Sequence, residues 1–309
     1  AGVSSFKIEG AKYDANTAFY LVSPDDELVA ALDVELDGTA VAYVSFDLYG
    51  VAVGDYGVIA VADGGTVVTA PETLKVEAGE GGSVSLFLDG PLQVRPGRLY
   101  QFNVAYGNSG DADLMAPILV MDSASGLPLG MSYDDVRATN LQILGASLDG
   151  QASVLRVGQQ QSVGIIYSSP AREIPTDVRV RAMTADNQTA ITNWSTIEGA
   201  VRPAGIDDAG WDAFWAQVQP RLGNTWGAYV QAVNAMAAQF STESEVLRNV
   251  REIFARAYAS SDAYLPSLEV SGHLYATADG SPLGGVQVAV YAERNGTPRL
   301  AGVGTTDAF

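Results

Sequence analysis

The chain has 309 residues, no cysteine, and 36 acidic against 17 basic side chains, for a formal net charge of -19. That charge argues against nucleic acid as a partner, because a phosphate backbone attracts the opposite sign. No apolar run approaches the about 20 residues that cross a bilayer, and neither end carries a signal-peptide pattern. The missing cysteine removes disulfides, thiolate nucleophiles and Cys-ligated metals, and leaves the redox compartment open. A hydrophobic content of 47% is enough for folded cores.

In chain order, the first segment reads as short strands between turns. Val3-Ser-Ser-Phe-Lys-Ile-Glu9 alternates with period two, and Thr17 to Val22 follows, stopped by Ser23-Pro-Asp-Asp26. Leu28 to Val34 and Val41 to Leu48 come next, around the turn Asp37-Gly38. Gly57 to Ala62 runs through Asp63-Gly64-Gly65 into Thr66 to Thr69, a hairpin signal. The glycine-rich stretch from Glu77 to Ser83 reads as a hinge. Beyond it, Leu99 to Tyr106 places Tyr100, Phe102, Val104 and Tyr106 on one face. Further strands are expected at Ala116 to Met121, Ala152 to Val157, Ser162 to Tyr167 and Thr176 to Ala182. In the last, Val178, Val180 and Ala182 face inward. No strand is followed by a long helical pattern, so the sheets are not doubly wound.

The period changes at Ile206. Trp211, Phe214, Trp215 and Val218 recur at helical spacing up to Pro220; Trp226 to Phe240 carries a second stripe. Thr242-Glu-Ser-Glu245 is a capping box that opens a third helix bearing Val246, Val250, Ile253, Phe254, Ala257 and Tyr258. Three such helices must pack together or against a sandwich. Strand periodicity resumes after Tyr264, at Leu268 to Ala276 and Val286 to Ala292, and the pattern predicts that the chain stops inside a β-module.

Ser271-Gly-His-Leu, Asp279-Gly-Ser-Pro-Leu-Gly-Gly-Val-Gln-Val288 and Thr305-Thr-Asp-Ala-Phe309 resemble the start of carboxypeptidase-regulatory-like (prealbumin-like) modules of secreted bacterial proteins. Position 273 departs by carrying histidine, and the glycine expected near 308 is missing. Phe6 to Tyr13 and Phe46 to Tyr56 resemble Ig-like units of the IPT type, and Val104 to Pro117 is similar to adhesion-type Ig-like modules. The resemblance implies a mainly β chain. Tandem Ig-like β-sandwiches (1–78 and 79–203) would be followed by a three-helix unit (204–263) and a partial prealbumin-like β-sandwich (264–309).

Reactive constellations are sparse. His273 is the only histidine, and neither a G-x-S-x-G elbow nor a P-loop occurs. Asn108, Asp111 and Asp113 could supply hard oxygen ligands to calcium, although such a cluster also describes an Asx-rich turn. Asp134-Asp135 and Asp207-Asp208 are lesser candidates, the second pair better explained as charge at a helix N-terminus. Glu245–Arg248 and Glu252–Arg256 read as surface pairs. Tyr43, Tyr49, Tyr133 and Trp194 are candidate sugar platforms if exposed. The expectation is a non-catalytic structural or adhesion segment of a secreted or cell-surface bacterial protein, meeting a protein or polysaccharide partner. The alternatives are accessory, carbohydrate-binding modules of a secreted hydrolase, or a docking module built on the helices.

Overall fold

A computed structural model of the chain describes residues 2–91, 93–136, 138–151, 153–171, 177–241, 246–260, 287–294 and 297–305. The chain divides into two compact units, Ala1–Ser261 and Asp262–Phe309. The first opens with seven strands: β1 (Val3–Glu9), β2 (Ala18–Val22), β3 (Leu28–Ala30), β4 (Asp33–Asp37), β5 (Val41–Asp47), β6 (Gly54–Val61) and β7 (Val67–Val76). They form two antiparallel sheets, ordered β1-β5-β4 and β3-β2-β6-β7. Between the sheets lie Phe19, Leu21, Ala42, Val44, Phe46 and Tyr56. The expected hairpin is present, with Gly64 and Gly65 at φ +90 and +81, where a side chain would strain the turn.

The strand expected from Leu28 to Val34 is two strands in different sheets. Ala31 N–H donates to Phe19 O while Leu32 N–H donates to Ser45 O, so the chain changes sheets between neighbouring residues. An alternating pattern cannot reveal this crossing, because both halves keep the same period.

Nine further strands follow: β8 (Val84–Asp89), β9 (Leu99–Asn108), β10 (Leu114–Met115), β11 (Ile118–Asp122), β12 (Leu129–Gly130), β13 (Asn140–Leu144), β14 (Val154–Leu155), β15 (Gln160–Ser168) and β16 (Arg179–Met183). Their main sheets are β12-β15-β9-β8 and β13-β11-β16. Four helices complete the unit: α1 (Trp194–Val201), α2 (Asp208–Val218), α3 (Trp226–Phe240) and α4 (Val250–Ser260). The open choice for the helices is resolved, for they pack on the β13-β11-β16 sheet. Strand β11 is buried on both faces. Leu119 and Met121 join Phe102, Val104 and Tyr106 inside the sandwich; Ile118 and Val120 meet Trp211, Tyr229, Val233 and Phe254 beneath the helices. A continuous apolar run is what a strand with two covered faces requires.

Helix α1 adds a fourth helix to the three expected. Its signals are Asn193, whose side chain accepts from Thr196 N–H as an N-cap, and Ile197, Ala200 and Val201 at helical spacing, all buried. Helix α4 starts at Val250. Just ahead of it, Arg248 O accepts from Leu144 N–H, and Asn249 bridges Ile143. Arg248 is spent on the sheet edge, and Asn249 caps the helix, its O accepting from Ile253 N–H and its Oδ1 from Arg251 N–H. The capping box at 242–245 lies outside the described residues, and so does Glu245–Arg248. Glu252 and Arg256 do pair, at 2.9 Å. Asp207 caps α2 by accepting from Gly210 N–H, with Asp208 in the first turn.

In the second unit the described backbone is an antiparallel hairpin of β17 (Gln287–Arg294) and β18 (Thr297–Thr305). His273 and the resemblance carried by 271–286 lie outside the described residues.

All four tryptophans belong to the helical layer, so their fluorescence reads that layer while far-UV circular dichroism reads the sheets as well. Leu119→Ala removes a side chain that faces away from the helices, at a cost of about 2–5 kcal/mol. Both signals are expected to fall together in denaturant. A tryptophan transition left at its original midpoint would mean that the layers unfold separately.

Candidate binding groove

Strands β1 and β7 each have a neighbour on one side only, and they lie beside one another on the same flank of the first sandwich. Between them runs a groove of three adjoining hollows of about 460, 580 and 290 Å3. Ile8, Val58, Ala70 and Pro71 wall both of the larger ones, with Phe19 behind one and Leu21 and Phe46 behind the other. Ile8, Val58 and Ala70 are half-buried where the sandwich does not close, over the fully buried Phe19, Leu21 and Phe46. Lys7, Glu9, Lys12, Glu72, Lys75 and Glu77 stand along the rim. Carbon walls with a charged rim retain a ligand by burial and orient it by charge.

Beneath the groove the outer face of β1 and β5 is polar and packs on Asp149, Gln151 and Arg156. Ser5 Oγ meets Ser45 Oγ at 2.6 Å, Ser45 Oγ donates to Gln151 Oε1 at 2.9 Å, and Gln151 Nε2 donates to Tyr43 O at 3.4 Å. Tyr43 O–H donates to Asp149 Oδ2 at 3.1 Å. Arg156, buried, reaches Asp149 Oδ1 at 2.8 Å and lies 4.6 Å over the Tyr43 ring. Gly150 is held at φ +74 against this pair; a Cβ there would stand 2.4 Å from Arg156 Nη1 and 2.8 Å from the Tyr43 ring. Burial pushes the Asp149 carboxyl up, but the hydrogen bond and charge of Arg156 outweigh it and hold the group below the usual aspartate range. Burial, with Asp149 adding to it, raises the Tyr43 phenol.

The three candidate calcium ligands form a backbone clasp. Asn108 is buried; its Oδ1 accepts from Ser83 and Gly110 N–H, and its Nδ2 donates to Ala112 O and Leu155 O. Asp111 accepts from Glu80 N–H at 2.8 Å and Gly81 N–H at 2.7 Å, which lower its pKa. Asp113 Oδ1 accepts from Val157 N–H, its own N–H donates to Val3 O, and its Oδ2 is buried without a hydrogen bond. Burial raises the Asp113 carboxyl above the ordinary range. Asn108 and Asp111 thus fasten the stretch read as a hinge, and Asp113 ties the start of β1 to the strand beyond it. Among the described residues no group of three His, Asp or Glu side chains is arranged to hold a metal. Asp135 is taken up by the Arg251 guanidinium at 2.8 and 2.9 Å.

One of the candidate sugar platforms is corrected: Tyr43 is 4% exposed, covered by Arg156. Trp194 is half-buried and packs edge-on against Trp215 and Tyr229. Tyr49 and Tyr133 are exposed, at 84% and 67%. The groove itself escaped sequence reasoning because strand edges are defined by pairing. Pro71 inside β7 was the available signal, since proline in a strand marks an edge.

Opposite pH behaviour is expected from the two aspartates. The lowered pKa of Asp149 contributes stability that is present above the unfolded aspartate value and lost as pH falls through the folded one. The raised pKa of Asp113 costs stability as pH rises from the unfolded value through the folded one. Asp113→Asn is therefore expected to melt above the wild type at neutral pH, with the difference vanishing on acidification; a difference that persists at low pH would contradict this. Because Asn108 Oδ1, both Asp111 oxygens and Asp113 Oδ1 already accept from N–H groups, a chelator is expected to leave the melting midpoint unchanged, and a lowered midpoint would count against the clasp. No protein-family model and no curated protein sequence matches this chain.

Proposed function

We propose that the chain is a non-catalytic structural or adhesion segment of a secreted or cell-surface bacterial protein, in which two β-units are held at a fixed angle. The observation that carries this reading is the buried junction of Tyr43, Asp149 and Arg156. A guanidinium left in that position without its carboxylate would be costly, so the junction resists opening. Seven strands in two facing antiparallel sheets are in keeping with an Ig-like reading of the first β-unit, although β2 lies beside β3 and β6 and not beside β1 and β5 as that pattern has it. The charge of -19 favours a solvated array, and the partner in this reading is a protein or polysaccharide outside the cell. A docking role for the helices has less support, since their apolar faces are spent in the core. A carbohydrate-binding accessory role retains Tyr49 and Tyr133, the candidate platforms that are exposed.

The chain has no cysteine, so spin labels can be placed without background. Asp63→Cys and Ala124→Cys put one exposed label in each β-unit. The distance distribution between them is expected to be single and narrow, and to broaden in Arg156→Ala. A broad distribution in the parent chain would remove the basis for a rigid spacer.

A further inference from the structure

We propose that the groove between β1 and β7 accepts an extended segment of a partner polypeptide as an added strand on β1. That segment would carry apolar side chains at alternate positions and a carboxylate at the end that meets Lys12. The inference is independent of the scaffold reading and rests on backbone direction, wall chemistry and charge.

The backbone of β1 alternates between its partner and the groove. Gly2 O accepts from Leu48 N–H and Gly10 N–H donates to Ala40 O, so the even positions serve the β5 side. Val3 O, an odd position, turns the other way and accepts from Asp113 N–H. By the same alternation Ser5, Lys7 and Glu9 turn their N–H and C=O groups the same way; the Ser5 N–H is directed at the Asp113 carboxylate, and Lys7 and Glu9 face the groove. Among the described residues, Lys7 and Glu9 make no backbone hydrogen bond on that side. Asp113 already occupies the first place on this edge, as an added strand would. The open stretch from the Ser5 carbonyl to Glu9 spans about 14 Å, enough for a short ladder. Strand β7 is the poorer acceptor, since Pro71 has no N–H to offer.

A strand added to β1 would lay every second side chain against Ile8, Val58 and Ala70, the walls shared by the two larger hollows. Main-chain pairing would supply affinity, and the hollows would select the alternate side chains.

Charge selects the occupant further. The chain contains only three lysines, and Lys7, Lys12 and Lys75 all line this groove. Lys7 pairs with Glu9 at 2.7 Å and Lys75 with Glu77, while the Asp111 carboxylate is held by N–H groups. Lys12 is exposed and has no ion pair among the described residues, so it can meet a carboxylate at that end. A second copy would bring a further charge of -19 to the same place, which opposes self-pairing. Lysines on an edge strand also guard it against indiscriminate pairing, which favours a selected partner.

The test uses the whole chain and three fluorescein-labelled peptides: Asp-Val-Thr-Val-Thr-Val, a version beginning with Lys, and a version with both Thr replaced by Pro. The first is expected to bind saturably by anisotropy. The Lys version, and the first peptide on Lys12→Glu, are expected to bind about tenfold more weakly, and the Pro version not at all. Ala70→Trp, which fills both larger hollows, is expected to abolish binding with its melting transition retained. If that variant fails to fold, Lys12→Glu at its exposed position carries the test. Absence of saturable binding, equal binding of the Pro peptide, or undiminished binding by a folded Ala70→Trp would overturn the proposal. So would a concentration-dependent dimer in sedimentation that Ala70→Trp dissolves, which would assign the groove to a second copy.

Discussion

A buried guanidinium must be neutralised where it lies, and the carboxylate that neutralises Arg156 is held in place by a residue in register on another sheet. Its cover is the Tyr43 ring and its counter-charge is Asp149, itself hydrogen-bonded by the Tyr43 hydroxyl. For Tyr43 to be there, the odd residues of β5 must face outward, which sends Ala42, Val44 and Phe46 inward to the first core. A one-residue slip of β5 would exchange the two sets at once. The period-two constraint that builds the sandwich is therefore the same one that seats the neighbouring β-unit.

Much of the β-architecture was legible because alternation survives into structure: Tyr100, Phe102, Val104 and Tyr106 share a face, and Val178, Val180 and Ala182 point inward, as their spacing implies. The hairpin at Asp63-Gly64-Gly65 was readable from turn chemistry. The change of sheet at Ala31–Leu32 was not, because hydrogen-bond partners leave no mark on side-chain periodicity. Helix α1 was missed because eight residues carry little more than two turns of pattern, and the tryptophan at its start reads equally well as a strand end. The candidate site was the least legible part. Asn108, Asp111 and Asp113 have the composition of a cation loop, but their acceptors are aimed at N–H groups brought from residues 80–83 and 157. Only the folded chain supplies those donors.

The acidic excess has a local exception of some consequence. Arginines are distributed among junctions and helices, where a planar fork can satisfy carbonyls and carboxylates together, as Arg251 does with Ala200 O and Asp135. Lysines are confined to the open flank of the first sandwich. Arg156 and Arg251 thus serve buried closure, and the lysines an edge that stays accessible to water.

Strand β11 has a consequence for inheritance. Its odd residues belong to one core and its even residues to another, and neither face can be left bare. A recombination event that carried the sheet without its helices would expose Ile118 and Val120, and one that carried the helices alone would strip Trp211 and Tyr229 of their floor. Sheet and helices are therefore a single heritable block, within which sequence can drift but from which no layer can be lent.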